Sequence, residues 1–167
     1  MNTPAAASSE DTPIKFLVVA ADCEEARRAA FFAARRAKRS RADVTILHII
    51  EPPEFGHWAS VEKTMRAEAL ENAEATLREF AAEVKAQLGS DPETITREGV
   101  MVAEIRTLIE EDEQIALLFL GAATKSDGPG PLVSALANQP DYLGTRPIPV
   151  VVVPGAATRD ELRKLAG

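Results

Sequence analysis

The feature that most limits the fold is an alternation. Short apolar, β-branched runs recur along the chain, and helix-length stretches separate them. The strongest runs are residues 14–21 (IKFLVVAA), 43–50 (DVTILHII), 114–120 (QIALLFL) and 148–153 (IPVVVV), with a weaker one at 93–98 (ETITRE). Runs apolar on both faces mark strands of a parallel sheet, because helices then cover both sides. The connecting stretches carry helical spacing. In the longest, residues 60–88, Val61, Met65, Leu70, Ala73, Leu77 and Phe80 form one apolar stripe. Ile105, Leu108 and Ile109 share a face of a stretch predicted over 103–111. An alanine-rich helix is predicted from Cys23 to about Arg39, and a short one over 132–138. Five strands alternating with helices imply a doubly wound α/β fold with helices on both faces.

Helix starts carry their own signals. Asp22 and Glu25 stand at capping-box spacing, as do Thr158 and Glu161. Pro131 after Gly130 suits the first position of a helix. In open parallel sheets, ligands sit beyond the strand C-termini where the strand order reverses. If the first strand is central, that crevice lies between the first and fourth strands, walled by residues 20–24 and 121–131.

Composition narrows the function classes. With 167 residues, 46% apolar, the chain is large enough for one domain with a real core, and a wholly disordered chain is excluded. A net charge of -7 argues against a nucleic-acid partner, which needs a basic footprint. The single cysteine, Cys23, excludes a disulfide framework and a cysteine-built zinc site. No apolar run has membrane-spanning length, and the first residues lack a basic start and apolar core, so a cytoplasmic protein without a membrane partner is expected. Residues 1–13 read as a flexible tail, 14–155 as the domain and 156–167 as a short C-terminal helix.

Several segments, in order, resemble the universal stress protein family: VVAAD and TILHII in the first two strands, LFLGAA ending the fourth, and the closing PIPVVVVP. EFGHWASVEKTMRAEAL, REGVMVAEI and GPGPLVSALA are similar to an alphaproteobacterial subgroup of that family. The resemblance implies a five-stranded parallel sheet in order 3-2-1-4-5, of the adenine nucleotide alpha hydrolase-like kind. It also implies a homodimer, pairing through the last strand at Ile148, Val150, Val151, Val152 and Val153. Some members bind ATP, through Gly-x-x-Gly followed after nine residues by Gly-Ser or Gly-Thr. Gly121 matches the first glycine, but Thr124 stands at the second, and Ser134-Ala135 or Val133-Ser134 at the last pair. Two of three glycines are absent, which argues against ATP held in that manner.

The residues that would contact ATP or AMP are Asp22, Val44, Gly121, Thr124, Gly128, Gly130 and Ser134. The loop GAATKSDGPGP has the composition of a phosphate cradle, in which glycine amides converge on an anion. Pro129 and Pro131 each remove a donor, so a rigid loop is the competing reading. Asp22 either caps the following helix or contacts a ligand. Cys23 at a helix start is either a reactive thiol favoured by the dipole or a small helix-start residue, with Glu24 and Glu25 opposing the thiolate. His48 reads as a satisfied core histidine. His57 lacks metal-ligand company, and Trp58 either packs its loop or stacks on a ligand. Arg35, Arg36, Lys38, Arg39 and Arg41 end a helix with the favourable sign; Glu110, Glu111, Asp112 and Glu113 end another with the unfavourable one. No nucleophile–base pair, paired carboxylates or metal cluster is evident. The expectation is a non-enzymatic, dimeric stress-response or regulatory module with a degenerate nucleotide crevice and no metal. The alternative is an ATP- or AMP-binding member with weak or no hydrolysis.

Overall fold

The computed structural model describes residues 12–53, 63–125, 127–139 and 141–167. In chain order the elements are β1 (Lys15–Ala20), α1 (Glu24–Ser40), β2 (Asp43–Ile50), α2 (Lys63–Leu88), β3 (Glu93–Glu98), α3 (Met101–Glu111), β4 (Ile115–Ala122), α4 (Pro131–Asn138), β5 (Val150–Pro154) and α5 (Arg159–Ala166). The strands form one sheet in order β3-β2-β1-β4-β5, with every neighbouring pair parallel. Order 3-2-1-4-5 is therefore present as expected. The order reverses beside β1, whose neighbours are β2 on one side and β4 on the other.

Strand alternation sorts the core into two layers. Phe16, Val18 and Ala20 of β1 point toward α1, α2 and α5, where they meet Phe80, Val84 and Leu162. Leu17 and Val19 point the other way, toward Ile105, Leu108 and Ile109 of α3, with Leu132 and Val133 of α4 packing on that layer. The inner face of α1 is built almost wholly of alanine: Ala26, Ala29, Ala30, Ala33, Ala34 and Ala37 are all buried. Such small side chains bring the helix backbone close to the sheet. At Gly121 the approach is so close that a Cβ would lie 2.1 Å from the Glu25 carbonyl oxygen. That glycine is required by packing, whatever else it does.

Several boundaries move. β5 begins at Val150, so Ile148 and Pro149 precede the strand; the Pro149 carbonyl still accepts the Leu118 amide at 3.1 Å. α3 begins two residues earlier than its periodicity predicts, at Met101. The apolar stripe of α2 is buried only from Ala73 onward, at Ala73, Leu77, Phe80, Val84 and Leu88. Met65 and Leu70 stand 56% and 37% exposed, and Val61 lies outside the described residues. No helix among the described residues is long and apolar enough to cross a membrane.

The acidic end of α3 finds its explanation in distant residues. Arg146 is placed at that terminus, where its guanidinium donates to the carbonyls of Ile109, Asp112 and Ile115 at 2.7 to 2.9 Å. A cation there complements the dipole that the acids oppose. Glu111 pairs with Arg97, Asp112 with Lys15 at 2.8 Å, and Glu110 accepts from the Thr145 hydroxyl at 3.3 Å. Each pairing joins residues far apart in sequence.

Candidate functional site at the β1–β4 switch point

The C-termini of β1 and β4 frame a cavity of about 150 Å³. Its floor is Val19, Ala21, Leu120, Gly121 and Ala123, and α1 contributes Cys23, Glu25 and Ala26. Met101 closes one side, and Pro129, Gly130, Pro131, Leu132 and Val133 close the other. Nearly every one of these groups is apolar. The one charged residue among the described lining residues is Glu25, and the exposed Asp22 and Glu24 precede it in sequence. The crevice is thus an apolar slot at a helix start rich in acids.

Asp22 does not cap α1. The Cys23 amide donates to the Ala21 carbonyl at 2.8 Å, a tight turn that starts the helix one residue later than the capping-box spacing suggests. Cys23 becomes the N-cap, with no side-chain cap bond, and Asp22 is exposed without a hydrogen bond or ion pair among the described residues. The thiol of Cys23 is half-buried, and burial pushes its pKa above the ordinary value; the nearby Ala26 amide offsets this only in part. Desolvation outweighs the helix dipole, so the thiolate is disfavoured. His48 is a half-buried strand residue with Nδ1 at 3.0 Å from the Ala20 carbonyl. A carbonyl only accepts, so this contact makes Nδ1 the donor and seats the ring beside the end of β1.

The loop after β4 folds back on itself. The Ala123 amide donates to the Pro129 carbonyl at 3.0 Å, and the Gly128 amide to the Lys125 carbonyl at 3.3 Å. The Ser134 amide donates to the Gly130 carbonyl as the first turn of α4 forms. Gly128 and Gly130 have φ of 103° and 101°, so both serve left-handed backbone, and Gly130 is the N-cap before Pro131, as the sequence suggests. Two amides a phosphate cradle could use, those of Ala123 and Gly128, are bonded within the loop, and Pro129 and Pro131 supply none.

Of the proposed contact residues, Gly121 and Gly130 line the crevice. Gly128 and Ser134 belong to its loop and helix without lining it. Thr124 is exposed and turned toward β5, where a methyl on Gly155 would come within 3.2 Å of its Cγ2. Val44 is misplaced in the expected set: it pairs with Phe16 near the start of β2 and is 1% exposed in the core, at the end of the sheet opposite the crevice. Its strand was read correctly, but its position along that strand was not. Ser126, His57 and Trp58 lie outside the described residues. Among the described residues no cluster of three metal-ligating side chains occurs. Met101, Leu132 and Val133 were missed as lining residues. The signal was available, since each stands in the first turn of a helix that follows a strand and its loop.

The family model of the universal stress protein family matches residues 14–154. The chain belongs to the universal stress protein family. No curated protein matches it. Among solved structures it is similar to universal stress protein UspA from Lactobacillus plantarum, at 18% identity and a TM-score of 0.69, covering 84% of this chain and 97% of that one. It is also similar to a universal stress protein in complex with cAMP, at 20% identity and a TM-score of 0.60, covering 86% and 98%. A third is a universal stress protein from Archaeoglobus fulgidus in complex with dAMP, at 17% identity and a TM-score of 0.50, covering 84% and 96%. At these identities the likeness is one of fold. This universal stress protein thus shares the five-stranded architecture of relatives solved with adenine nucleotides, while its own crevice is lined by apolar and acidic groups.

Proposed function

We propose that this universal stress protein is a non-enzymatic, homodimeric stress-response module whose switch-point crevice is degenerate toward ATP. The observation that carries the reading is the crevice lining. A triphosphate needs converging amides or cations, and here the loop amides of Ala123 and Gly128 are already bonded to carbonyls and no Lys or Arg is among the described lining residues. Glu25 is among the lining residues, and Glu24 shares with it the first turn of α1. Anions gain little at a helix start whose positive end is already matched by carboxylates.

Dimerisation is proposed through β5. This strand pairs with β4 along one edge, and its four valines leave Val152 41% exposed. An apolar edge strand invites pairing with a second copy. Sedimentation at micromolar concentration is expected to show a dimer, and Val152→Lys a shift to monomer. A wild-type monomer overturns that part of the reading.

A second reading, an adenine-nucleotide-binding member, is favoured by one observation. The apolar floor of Val19, Leu120 and Ala21 beside Gly121 and Gly130 would accept a flat base. One experiment separates the two. The purified protein is denatured and assayed for released nucleotide, and the native protein is titrated calorimetrically with ATP, AMP and cAMP. No retained nucleotide and no micromolar binding is expected; stoichiometric nucleotide or micromolar affinity overturns the leading reading in favour of the second.

A further inference from the structure

The opposite end of α1 carries a second cavity. Arg35, Lys38 and Arg39 are spaced to share one face of the helix. With Gln87 from the end of α2 and with Gly167 they line a cavity of about 280 Å³. Every charged side chain in that lining is a cation, and Gly167 brings a main-chain carboxyl close to Arg39. Some cations elsewhere, such as Lys15, Arg27, Arg66, Arg97 and Arg159, are paired with a carboxylate, while others are not. Arg35, Lys38 and Arg39 have no such partner among the described residues, in a chain where acids outnumber bases 26 to 19.

Arg35 is positioned rather than loose. Its Nη1 donates to Gln87 Oε1 at 3.2 Å, and its guanidinium lies 5.9 Å from the centre of the Phe31 ring. Its Nε is buried and has no hydrogen-bond acceptor. Leaving such a donor unpaired is unfavourable. Arg39 lies directly against Gly167, where any larger residue would meet its guanidinium. The helix dipole accounts for about half a charge at this terminus, and the three cations of the lining exceed it even with the Gly167 carboxyl counted.

We propose that this cavity binds a small multivalent oxyanion of the oligophosphate class. Two guanidiniums offer paired donors to phosphate oxygens, and Lys38 supplies a point charge beside them. The net charge of -7 disfavours a long polyanion, so the ligand is a compact one.

The test titrates the full chain with sodium tripolyphosphate by calorimetry, at ionic strength balanced with sodium chloride. Lys38→Gln and Arg39→Gln alter exposed lining residues, and Arg36→Gln removes the same charge from an exposed neighbour outside the lining. Saturable one-site binding is expected. Each lining variant should weaken it at least about tenfold. Arg36→Gln should leave it within about twofold, and melting curves should confirm that all three variants fold. Three results overturn the proposal: no binding beyond that of the balancing salt, equal weakening by Arg36→Gln, or tighter binding of a single-stranded oligonucleotide lost in the same lining variants. The second means diffuse charge, and the third a macromolecular partner.

Discussion

At its N-terminal end α1 meets an apolar crevice, with Glu25 in the lining and Glu24 beside it in the first turn. At its C-terminal end it meets a cavity walled by Arg35, Lys38 and Arg39. A helix N-terminus in a doubly wound fold is the usual place for a phosphate. Here Glu24 and Glu25 in the first turn answer that positive end, and the loop opposite bonds its Ala123 and Gly128 amides internally. Helix position thus tells where an anion could sit, while the side chains around it decide whether one does. The two ends also differ in packing. The first turn of α1 touches β4 backbone to backbone at Gly121, whereas the last turns are covered by α2 and α5.

The comparison breaks most severely at Gly121. Gly121→Ala places a methyl 2.1 Å from the Glu25 carbonyl oxygen, and no side-chain rotation relieves a backbone clash. A loss of about 2–4 kcal/mol is expected in urea unfolding, with the crevice end of α1 displaced. Wild-type stability in this variant would show that the close contact is not fixed.

A smaller effect sharpens the electrostatic contrast. Neutralising the carboxylates with Asp22→Asn, Glu24→Gln and Glu25→Gln together should strengthen ATP binding by about tenfold, or roughly 1.4 kcal/mol. The gain should shrink as salt screens it. Unchanged affinity, read by the same calorimetry, would show that apolar lining rather than charge excludes the nucleotide.

The smallest effects compare two helix starts. Thr158 accepts the Glu161 amide at 3.2 Å while the Thr158 amide donates to Glu161 Oε2 at 2.8 Å, a complete capping box. Thr158→Ala should cost about 1 kcal/mol. Asp22→Ala, with no cap bond to lose, should change thermal stability by less than about 0.5 kcal/mol. The amide of Thr158 also holds the Glu161 carboxyl below its ordinary pKa. Its contribution is therefore present above the ordinary carboxylate range and lost as pH falls through the lowered folded-state value. A melting series toward acid pH should show Glu161→Gln, which removes the ionised carboxylate but leaves the Thr158 amide, converging on wild type. Parallel curves at all pH values would remove Glu161 from that dependence.

The same two helix starts mark how far local reading reaches. Thr158 and Glu161 sit in an exposed segment, where neighbours in sequence are the neighbours that matter, and the capping box formed as spelled. Asp22 and Glu25 have the same spacing, but their segment leaves a buried strand and must pass Gly121, so the turn at Ala21 shifts the start. Val44 shows the parallel error in a strand: resemblance placed it at a ligand, and its position along β2 placed it in the core.

Alternating apolar runs, helical stripes, and the Gly130-Pro131 helix start were determined by the sequence alone, because each depends on residues within one or two turns. They were enough for five strands, five helices and a parallel sheet. Other features were decided only when the elements packed. Met65 and Leu70 continue a helical stripe yet stay exposed, since the core covers α2 only from Ala73. Four acids at the end of α3 look unfavourable in sequence, but Arg97, Lys15 and Thr145 reach Glu111, Asp112 and Glu110 from other elements, and Arg146 meets the terminal carbonyls. A charge has a sign in the sequence, but it acquires its partners, and hence its energy, only from the neighbours that folding supplies.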